Sequence, residues 1–364
     1  MNKRVFGTLK SGETAFLYTI QSETLRADIT DYGAAPAALL VRDPAGGNMT
    51  DVMLGYDEVS GYEAGTSYMS ALIGRFASRI EGACFALNGK TYHTVQNEGC
   101  NTLHSGNYGY SKRLWRVDEK TASDRQITFL LNSPDGDQGF PGNAELSVTY
   151  SVTDSGEFHI VYEAVCDQDT PLNLTSHAYF NLNGHNAGDV LSHSVRIPAE
   201  LFTPVRADCI PTGEIRSVKG TAFDFTEEKE IGRDLDLQTG EEQIRLTGGY
   251  DHNYCLAVLS DAGAAIHSGQ ADSSREGGLA TVLEARGDRS GICMTVKTSQ
   301  PGFLFYTGNN LEQEAGKGGA VYPRWGGFCV ETGHYPNSIS QPGFPSPVLR
   351  AGARYRAETV LCFR

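Results

Sequence analysis

The stretch NLTSHAYFNLNGH, residues 173–185, places side chains able to move a proton or bind a metal inside an otherwise apolar sequence. If the stretch is a β-strand, alternate side chains face opposite sides, so His177 shares a face with Thr175, Tyr179 and Asn181. A hydroxyl, an imidazole, a phenol and an amide exceed the hydrogen-bonding needs of a solvated strand. A lone strand histidine is more often structural than functional, so an acid-base role for His177 requires partners elsewhere.

Partners of suitable chemistry occur in four other segments. Residues 74–106 are rich in glycine and carry side chains suited to gripping hydroxyl groups: Arg75, Arg79, Asn97, Asn101 and His104. Asp251 lies in GGYDHNYCL, Gln300 lies in TSQPGFLFYTGNN, and Glu331 directly follows the apolar run FCV. A carboxylate after such a run is expected to be partly buried, which raises its pKa and makes it a better base.

The motifs of several other enzyme classes are absent. The sequence contains no GxSxG, no HExxH and no GxGxxG after a strand, and the glycine spacing at Gly7 has Glu13 where a phosphate-binding lysine belongs. His93 and His104 lie eleven residues apart, and His177 and His185 eight apart, so neither pair has the spacing of a local chelating pair. We therefore expect neither a nucleotide site nor a bound metal.

The composition of the 364 residues, 40% hydrophobic and 20% charged, is typical of a soluble globular protein. No apolar run approaches the roughly 20 residues that span a bilayer, and the first residues lack the apolar core of a secretory signal. The formal net charge of −14 disfavours nucleic acid as a partner. Eight cysteines, scattered singly and several within apolar runs, indicate reduced, buried thiols and a cytoplasmic location.

Short strand-like segments separated by Gly, Asn, Asp and Pro recur along the chain, and helical periodicity is nearly absent. The 42 glycines suit many tight turns. No linker or repeat divides the chain, so we predict one domain over residues 1–364, an all-β fold built as a large antiparallel β-sandwich. Residues 260–278, which are small and polar, are predicted to be a surface insertion.

The polar segments, taken in order, resemble the aldose 1-epimerase (galactose mutarotase) family. The matching stretches are GRFASRI, NTLHSG, DGDQGFPG, SHAYFNL, YDHNYCL, SQPGFLFYTGN and FCVET, followed by HYPNS and FP. The resemblance implies a large antiparallel β-sandwich, in agreement with the strand pattern. It further implies that the chain interconverts the α and β anomers of free aldohexoses such as D-galactose and D-glucose, as an isomerase of carbohydrate metabolism.

The family resemblance also assigns roles residue by residue. It implies that Glu331 is the general base and His177 the general acid, and that the sugar is held by His104, Arg79, Asp251 and Gln300. Ring opening needs only a base at the C1 hydroxyl and an acid at the ring oxygen, so no cofactor is expected. Because both groups exchange roles on reclosure, their pKa values should lie near neutrality. Arg79 and Asp251 also have structural interpretations, as an ion-pair member and a turn cap.

Three positions depart from the family pattern. Ser78 stands where Asn usually precedes the sugar-binding Arg, Ser105 replaces a Gly, and Gly333 replaces a Gln. Ser78 and Gly333 are expected to alter which hydroxyls are recognised. Two alternatives stay open: a glycoside hydrolase using Asp251 and Glu331, and a catalytically inactive sugar-binding relative. The only partner expected is a small aldose sugar, bound by a monomer or homodimer.

Overall fold

The computed structural model describes residues 2–44, 47–259, 265–267 and 278–364. Helices are few and short in these ranges: α1 (Val59–Ala64), α2 (Glu242–Thr247) and isolated 3-10 turns. None of the helices in the described ranges is long and apolar enough to cross a membrane. The remaining regular structure is β-strand, as the sequence predicts.

The strands of the first half, in chain order, are β1 (Asn2–Thr8), β2 (Thr14–Gln21), β3 (Leu25–Thr30), β4 (Pro36–Arg42), β5 (Met49–Asp51), β6 (Leu72–Ile73), β7 (Arg79–Ile80), β8 (Cys84–Leu87), β9 (Lys90–His93), β10 (Thr102–Leu103), β11 (Arg116–Val117), β12 (Gln126–Ser133), β13 (Ala144–Val152), β14 (Glu157–Cys166), β15 (Thr170–Pro171), β16 (Thr175–Ser176) and β17 (Tyr179–Phe180). Those of the second half are β18 (Ser194–Arg196), β19 (Leu201–Thr203), β20 (Arg216–Ser217), β21 (Lys229–Glu230), β22 (Asp251–Cys255), β23 (Ala257–Leu259), β24 (Ala265–His267), β25 (Ala280–Arg286), β26 (Cys293–Thr298), β27 (Gly302–Tyr306), β28 (Glu314–Ala315), β29 (Val321–Tyr322), β30 (Phe328–Gly333), β31 (Val348–Leu349) and β32 (Arg354–Phe363).

Three sheets dominate the described residues. Their strand orders are β11-β12-β13-β14-β32-β26-β25-β18-β21, β17-β30-β27-β22-β19-β20 and β1-β2-β3-β4-β5. Neighbouring strands pair antiparallel, for example β13 with β14 and β27 with β30. This is the all-β, antiparallel sandwich that the sequence predicts.

The sheets meet in one large apolar core. The cluster joins Phe129 and Tyr150 of the nine-stranded sheet, Phe303 and Phe328 of the six-stranded sheet, and Ile29 of the five-stranded sheet. In β13 every second residue is buried, so one face packs on this core and the other faces outward. Burial of that apolar face is the main force holding the layers together.

The six-stranded sheet differs because its central strands are buried on both faces. Every residue of β27 and β30 is buried. Phe303, Phe305, Phe328 and Val330 point into the large core. The alternate residues of the same strands therefore form a second face, and the functional candidates lie there.

Two sequence predictions need correction. Residues 173–185 are not one strand, because the chain forms β16 and β17 with a break at His177 and Ala178, and both faces are buried. The eight cysteines are free as predicted, but only four are buried; Cys100 is exposed and Cys84, Cys209 and Cys293 are half-buried. Of the predicted insertion at 260–278, all but 265–267 and Gly278 lies outside the described residues.

Candidate active site

A cavity of about 150 Å³ lies on the second face of the six-stranded sheet. Strand alternation and register bring its floor together: Asp251 pairs with Tyr306, Tyr306 with Cys329, and Leu304 with Glu331. Tyr179 of β17 also pairs with Cys329. The residues lining the cavity are Thr66, Ser67, Tyr68, Ser78, Arg79, Glu98, Leu103, His104, His177, Tyr179, Asp251, Leu304, Tyr306, Asn310 and Glu331.

A two-stranded ribbon of β7 and β10 supplies another wall. Leu103 pairs with Arg79, and the amide of His104 donates to the carbonyl of Ser78 at 3.0 Å. Ser78 and His104 both have positive φ, 62° and 50°. Non-glycine residues in this left-handed region are held there by surrounding contacts and cluster at functional sites.

The protonation of His104 follows from its hydrogen bonds. The backbone N–H of Ser78 donates to Nδ1 of His104 at 3.1 Å, so Nδ1 carries a lone pair and the proton of the neutral ring is on Nε2. Burial, and then the nearby His177 and Arg79, hold the pKa of His104 well below its ordinary value. His104 is therefore a neutral hydrogen-bond donor near pH 7, and not a base.

His177 and Glu331 face each other across the cavity. Nε2 of His177 lies 3.6 Å from Oε1 of Glu331, and both side chains are buried. On the other side of the ring, Nδ1 lies 3.6 Å from Sγ of the buried Cys329. The rings of Tyr68 and His104 pack around His177, with centroid distances of 6.1 Å and 5.3 Å.

Burial shifts the two pKa values in opposite directions. It raises the pKa of Glu331 to about 8, helped by the charge of Asp251 and opposed by Arg79. It lowers the pKa of His177 to about 4. The predicted burial and raised pKa of Glu331 are thus confirmed, whereas the pKa of His177 is lower than the predicted value near neutrality. Around pH 7 the two groups hold one proton between them.

Arg79 is fixed by a carboxylate that the sequence analysis missed. Its Nε and Nη2 donate to the two oxygens of Glu98 at 2.6 Å and 2.8 Å, and its Nη1 lies 3.9 Å from Oδ2 of Asp251. Burial raises the pKa of Asp251, although Arg79 opposes the rise. The only sequence signal for Glu98 is its place six residues before His104 in the same polar segment.

The structure places Ser78 at the cavity and Gln300 outside it. Ser78 lines the cavity, and its hydroxyl is buried with no hydrogen-bond partner among the described residues. Gln300 does not reach the cavity: it precedes β27, and its amide donates to the hydroxyl of Tyr355 at 2.6 Å. Leu304, four residues later and on the cavity face of β27, occupies the wall instead.

Gly333, where the family pattern has Gln, does not line the cavity. A Cβ at this position would come within 2.5 Å of Oδ1 of Asn173. That oxygen accepts the backbone N–H of His334 at 2.8 Å, so Gly333 gives Asn173 the space to brace the end of β30. Its absent side chain therefore serves packing at this point in the fold.

The group formed by His104, His177 and Glu331 does not fit a bound metal. His104, His177 and Glu331 place candidate atoms within 4.8 Å of one another, a donor set found in zinc sites. However, His104 keeps its proton on Nε2 because Nδ1 accepts the Ser78 amide, and a protonated nitrogen has no lone pair for a metal. We therefore derive no step through a metal.

A larger groove of about 800 Å³ lies between β8 and residues 338–348. Cys84 is the only titratable side chain among the described residues that line it. The cavity on the six-stranded sheet, which is lined by two imidazoles, three carboxyl groups and a guanidinium, is the better candidate for catalysis.

Comparisons with known proteins agree with the fold. The aldose 1-epimerase family model matches residues 17–362. The chain is 40% identical to a galactose mutarotase of Sus scrofa, over 100% of this chain and 98% of the relative, and 35% identical to an aldose 1-epimerase of Haemophilus influenzae, over 96% and 95%.

Solved structures give the same assignment. An aldose epimerase homologue from C. elegans, 28% identical, superposes with a TM-score of 0.83 over 96% of this chain and 99% of that one. A galactose 1-epimerase from Lactobacillus acidophilus NCFM, at 22% identity, has the same fold, with a TM-score of 0.80 over 100% and 98% of the two chains. The chain belongs to the aldose 1-epimerase family.

Proposed function

We propose that the chain is an aldose 1-epimerase that interconverts the α and β anomers of free aldohexoses such as D-galactose and D-glucose, with Glu331 and His177 moving the protons. The observation that carries the proposal is the approach of His177 Nε2 to Glu331 Oε1, 3.6 Å apart in a buried polar cavity. The names of the galactose mutarotases to which the chain is similar support galactose as a substrate.

The shared proton determines how the pair starts a cycle. In the free protein the proton is on Glu331, because burial disfavours both the carboxylate and the imidazolium. A bound aldose favours the other distribution, since its C1 hydroxyl donates to a carboxylate and its ring oxygen accepts from an imidazolium. The substrate thereby makes Glu331 the base and His177 the acid.

Ring opening then moves one proton at each end. Glu331 takes the proton of the C1 hydroxyl, the C1 carbonyl forms, and the bond between C1 and the ring oxygen breaks. The electron pair of that bond goes to the ring oxygen, which takes a proton from Nε2 of His177. The open-chain aldose is left beside a protonated Glu331 and a neutral His177, the distribution that burial favours. Rotation about C1–C2 and the reverse transfers close the ring as either anomer.

Four polar groups of the cavity are proposed to hold the sugar. Arg79 offers Nη1, Asp251 a carboxylate, His104 an Nε2–H donor and Ser78 its unpartnered hydroxyl. Buried groups of this kind discriminate against analogues that lack the matching hydroxyl, because they would be left unpaired. Gln300 is not included, since its amide is bonded to Tyr355 outside the cavity. The cavity needs no cofactor for this chemistry.

We also propose a cytoplasmic monomer or homodimer, with a small aldose as its partner and neither nucleic acid nor membrane. The net charge of −14 argues against nucleic acid, and eight cysteines without a disulfide support a cytoplasmic location.

Polarimetry of freshly dissolved α-D-galactose and α-D-glucose tests the reaction. The wild-type protein should bring the rotation to equilibrium faster than buffer. His177→Ala and Glu331→Gln should each lose roughly 10²- to 10⁴-fold in rate, the usual contribution of one acid-base group. His93→Ala and Glu214→Gln, at exposed positions away from the cavity lining, serve as matched controls and should keep wild-type rates.

Three other results would contradict the proposal. Wild-type protein no faster than buffer on either sugar would refute epimerase activity on these substrates, and release of a phenol from an aryl galactoside would indicate a hydrolase. Unchanged rates in both active-site variants would remove the roles assigned to His177 and Glu331.

A further inference from the structure

Glu98 holds Arg79 in one orientation. The carboxylate accepts from Nε and Nη2 of Arg79, in the two-pronged geometry that is the most directional ion pair available to arginine. The Arg79 side chain is 12% exposed and that of Glu98 is 35% exposed, so the pair lies at the mouth of the cavity with the guanidinium inside. Both residues line the cavity.

The third guanidinium nitrogen of Arg79, Nη1, is not bonded to Glu98 and lies toward Asp251. Nη1 lies 3.9 Å from Oδ2 of Asp251, beyond hydrogen-bond distance. The Asp251 side chain is only 14% exposed, and without a competing partner a guanidinium at this distance would be drawn into contact with its carboxylate. Glu98 therefore keeps Arg79 and Asp251 apart, and each retains hydrogen-bonding capacity toward the cavity.

We propose that Glu98 is a positioning residue for the epimerase reaction, which holds Arg79 so that Arg79 and Asp251 both bind the sugar and do not neutralise each other. This inference rests on the proposed function, because its readouts are the kinetics of anomer interconversion. Glu98 acts through Arg79 and moves no proton itself.

Loss of the Glu98 charge has a consequence for Glu331. Arg79 would close on Asp251, and the charge of Asp251 that helps to raise the pKa of Glu331 would be compensated. The titratable and charged groups that face Glu331 from the surrounding elements are Arg79, His104, His177, Tyr179, Asp251, Tyr306 and Cys329. Among these groups Glu98 bonds Arg79, and it thereby sets the distance between Arg79 and Asp251.

The substitution Glu98→Gln tests the inference on the full-length protein. The amide keeps the shape of the side chain but loses the charge, and its NH₂ group faces a guanidinium donor. We expect KM for α-D-galactose to rise about tenfold with a smaller loss in kcat, since ground-state sugar contacts are weakened. The alkaline limb of the profile of kcat/KM against pH should also move to lower pH.

Glu214→Gln is the matched control, because the exposed Glu214 makes the same two-pronged pair with Arg216, at 2.8 Å and 2.7 Å, away from the cavity lining. It should leave KM and the pH profile unchanged. Glu98→Ala, which removes both bonds to Arg79, should raise KM and lower the alkaline limb in the same way, and it provides the test if Glu98→Gln does not fold.

The outcomes separate this inference from the proposed function. Inactive wild-type protein would overturn the function. Active wild-type protein with a folded Glu98→Gln variant whose KM, kcat and alkaline limb match the wild type within twofold would overturn the role of Glu98 alone. If only Glu98→Ala folds, a KM and an alkaline limb that match the wild type within twofold would equally overturn it.

Discussion

At the scale of single residues, burial sets the protonation of the proposed acid-base pair. The charged forms of Glu331 and His177 both lose hydration in the cavity, so the pKa of the carboxyl rises to about 8 and that of the imidazole falls to about 4. The order of the two values is inverted relative to free side chains. As a result the pair holds a single proton across a wide pH range, whichever residue carries it.

This arrangement predicts a broad plateau in the profile of kcat/KM against pH. Above about pH 8 the pair loses its only proton and no acid remains, and below about pH 4 it gains a second proton and no base remains. Activity on α-D-galactose should therefore fall on both sides of a plateau between these values. Polarimetry at constant ionic strength, corrected for the buffer-catalysed rate, measures the profile.

An alkaline limb near pH 4.5 would contradict this prediction, because it would mean that Glu331 keeps the ordinary pKa of an exposed carboxyl. Glu331→Gln provides the control, since its residual rate should lack the limb near pH 8.

At the scale of structural elements, the β7–β10 ribbon is held in a strained shape by side-chain bonds. Ser105, next to His104, has a φ of 68° and is buried. Its hydroxyl accepts the amide of Phe76 at 2.7 Å and donates to the carbonyl of Phe76 at 3.0 Å. These two bonds tie the loop that carries His104 to the segment leading into Arg79, and so they fix the relative positions of two proposed sugar-binding residues.

Two substitutions of Ser105 separate the stability that its hydrogen bonds contribute from the stability that its left-handed backbone costs. Ser105→Ala removes both bonds, keeps the left-handed backbone and should lower the free energy of unfolding by roughly 1–3 kcal/mol. Ser105→Gly removes the same bonds but relieves the backbone strain by about 1 kcal/mol, so it should be the less harmful change. Urea unfolding monitored by circular dichroism gives the order, and an alanine variant as stable as the glycine variant would refute the strain.

At the scale of the whole molecule, the antiparallel sandwich needs no covalent cross-link. The large core joins all three sheets, and none of the eight cysteines forms a disulfide. Burial raises the pKa of the half-buried Cys209 thiol to about 11, which keeps it largely protonated and unreactive. The prediction of a reducing compartment is compatible with these thiols and stays a prediction, as do the monomeric or dimeric state and the single domain over residues 1–364.

Thiol counting tests this description. In the native protein, Ellman's reagent should react rapidly with about one thiol, the exposed Cys100, because a buried thiol reacts only when the structure opens. After denaturation without reductant, all eight should react. Fewer than eight would reveal a disulfide, and a Cys100→Ser variant that still shows the rapid phase would show that another thiol is accessible.

The sequence by itself determined the fold class and named most of the residues that line the candidate site. Alternation of apolar and polar side chains is a local property, so strands such as β13 and β14 are visible without knowledge of their neighbours. The apolar run before Glu331 likewise predicted its burial and the direction of its pKa shift. The order of the polar segments was sufficient to indicate the family.

Only the tertiary structure decided which of these residues meet. The register between distant strands sets Leu304 opposite Glu331 and leaves Gln300 outside, although both belong to one segment. The break at His177, the Nε2 proton of His104 and the clamp of Glu98 on Arg79 depend on partners far apart in sequence or on backbone geometry. Local patterns carry no record of such long-range pairing, because it is fixed only when the sheets pack together.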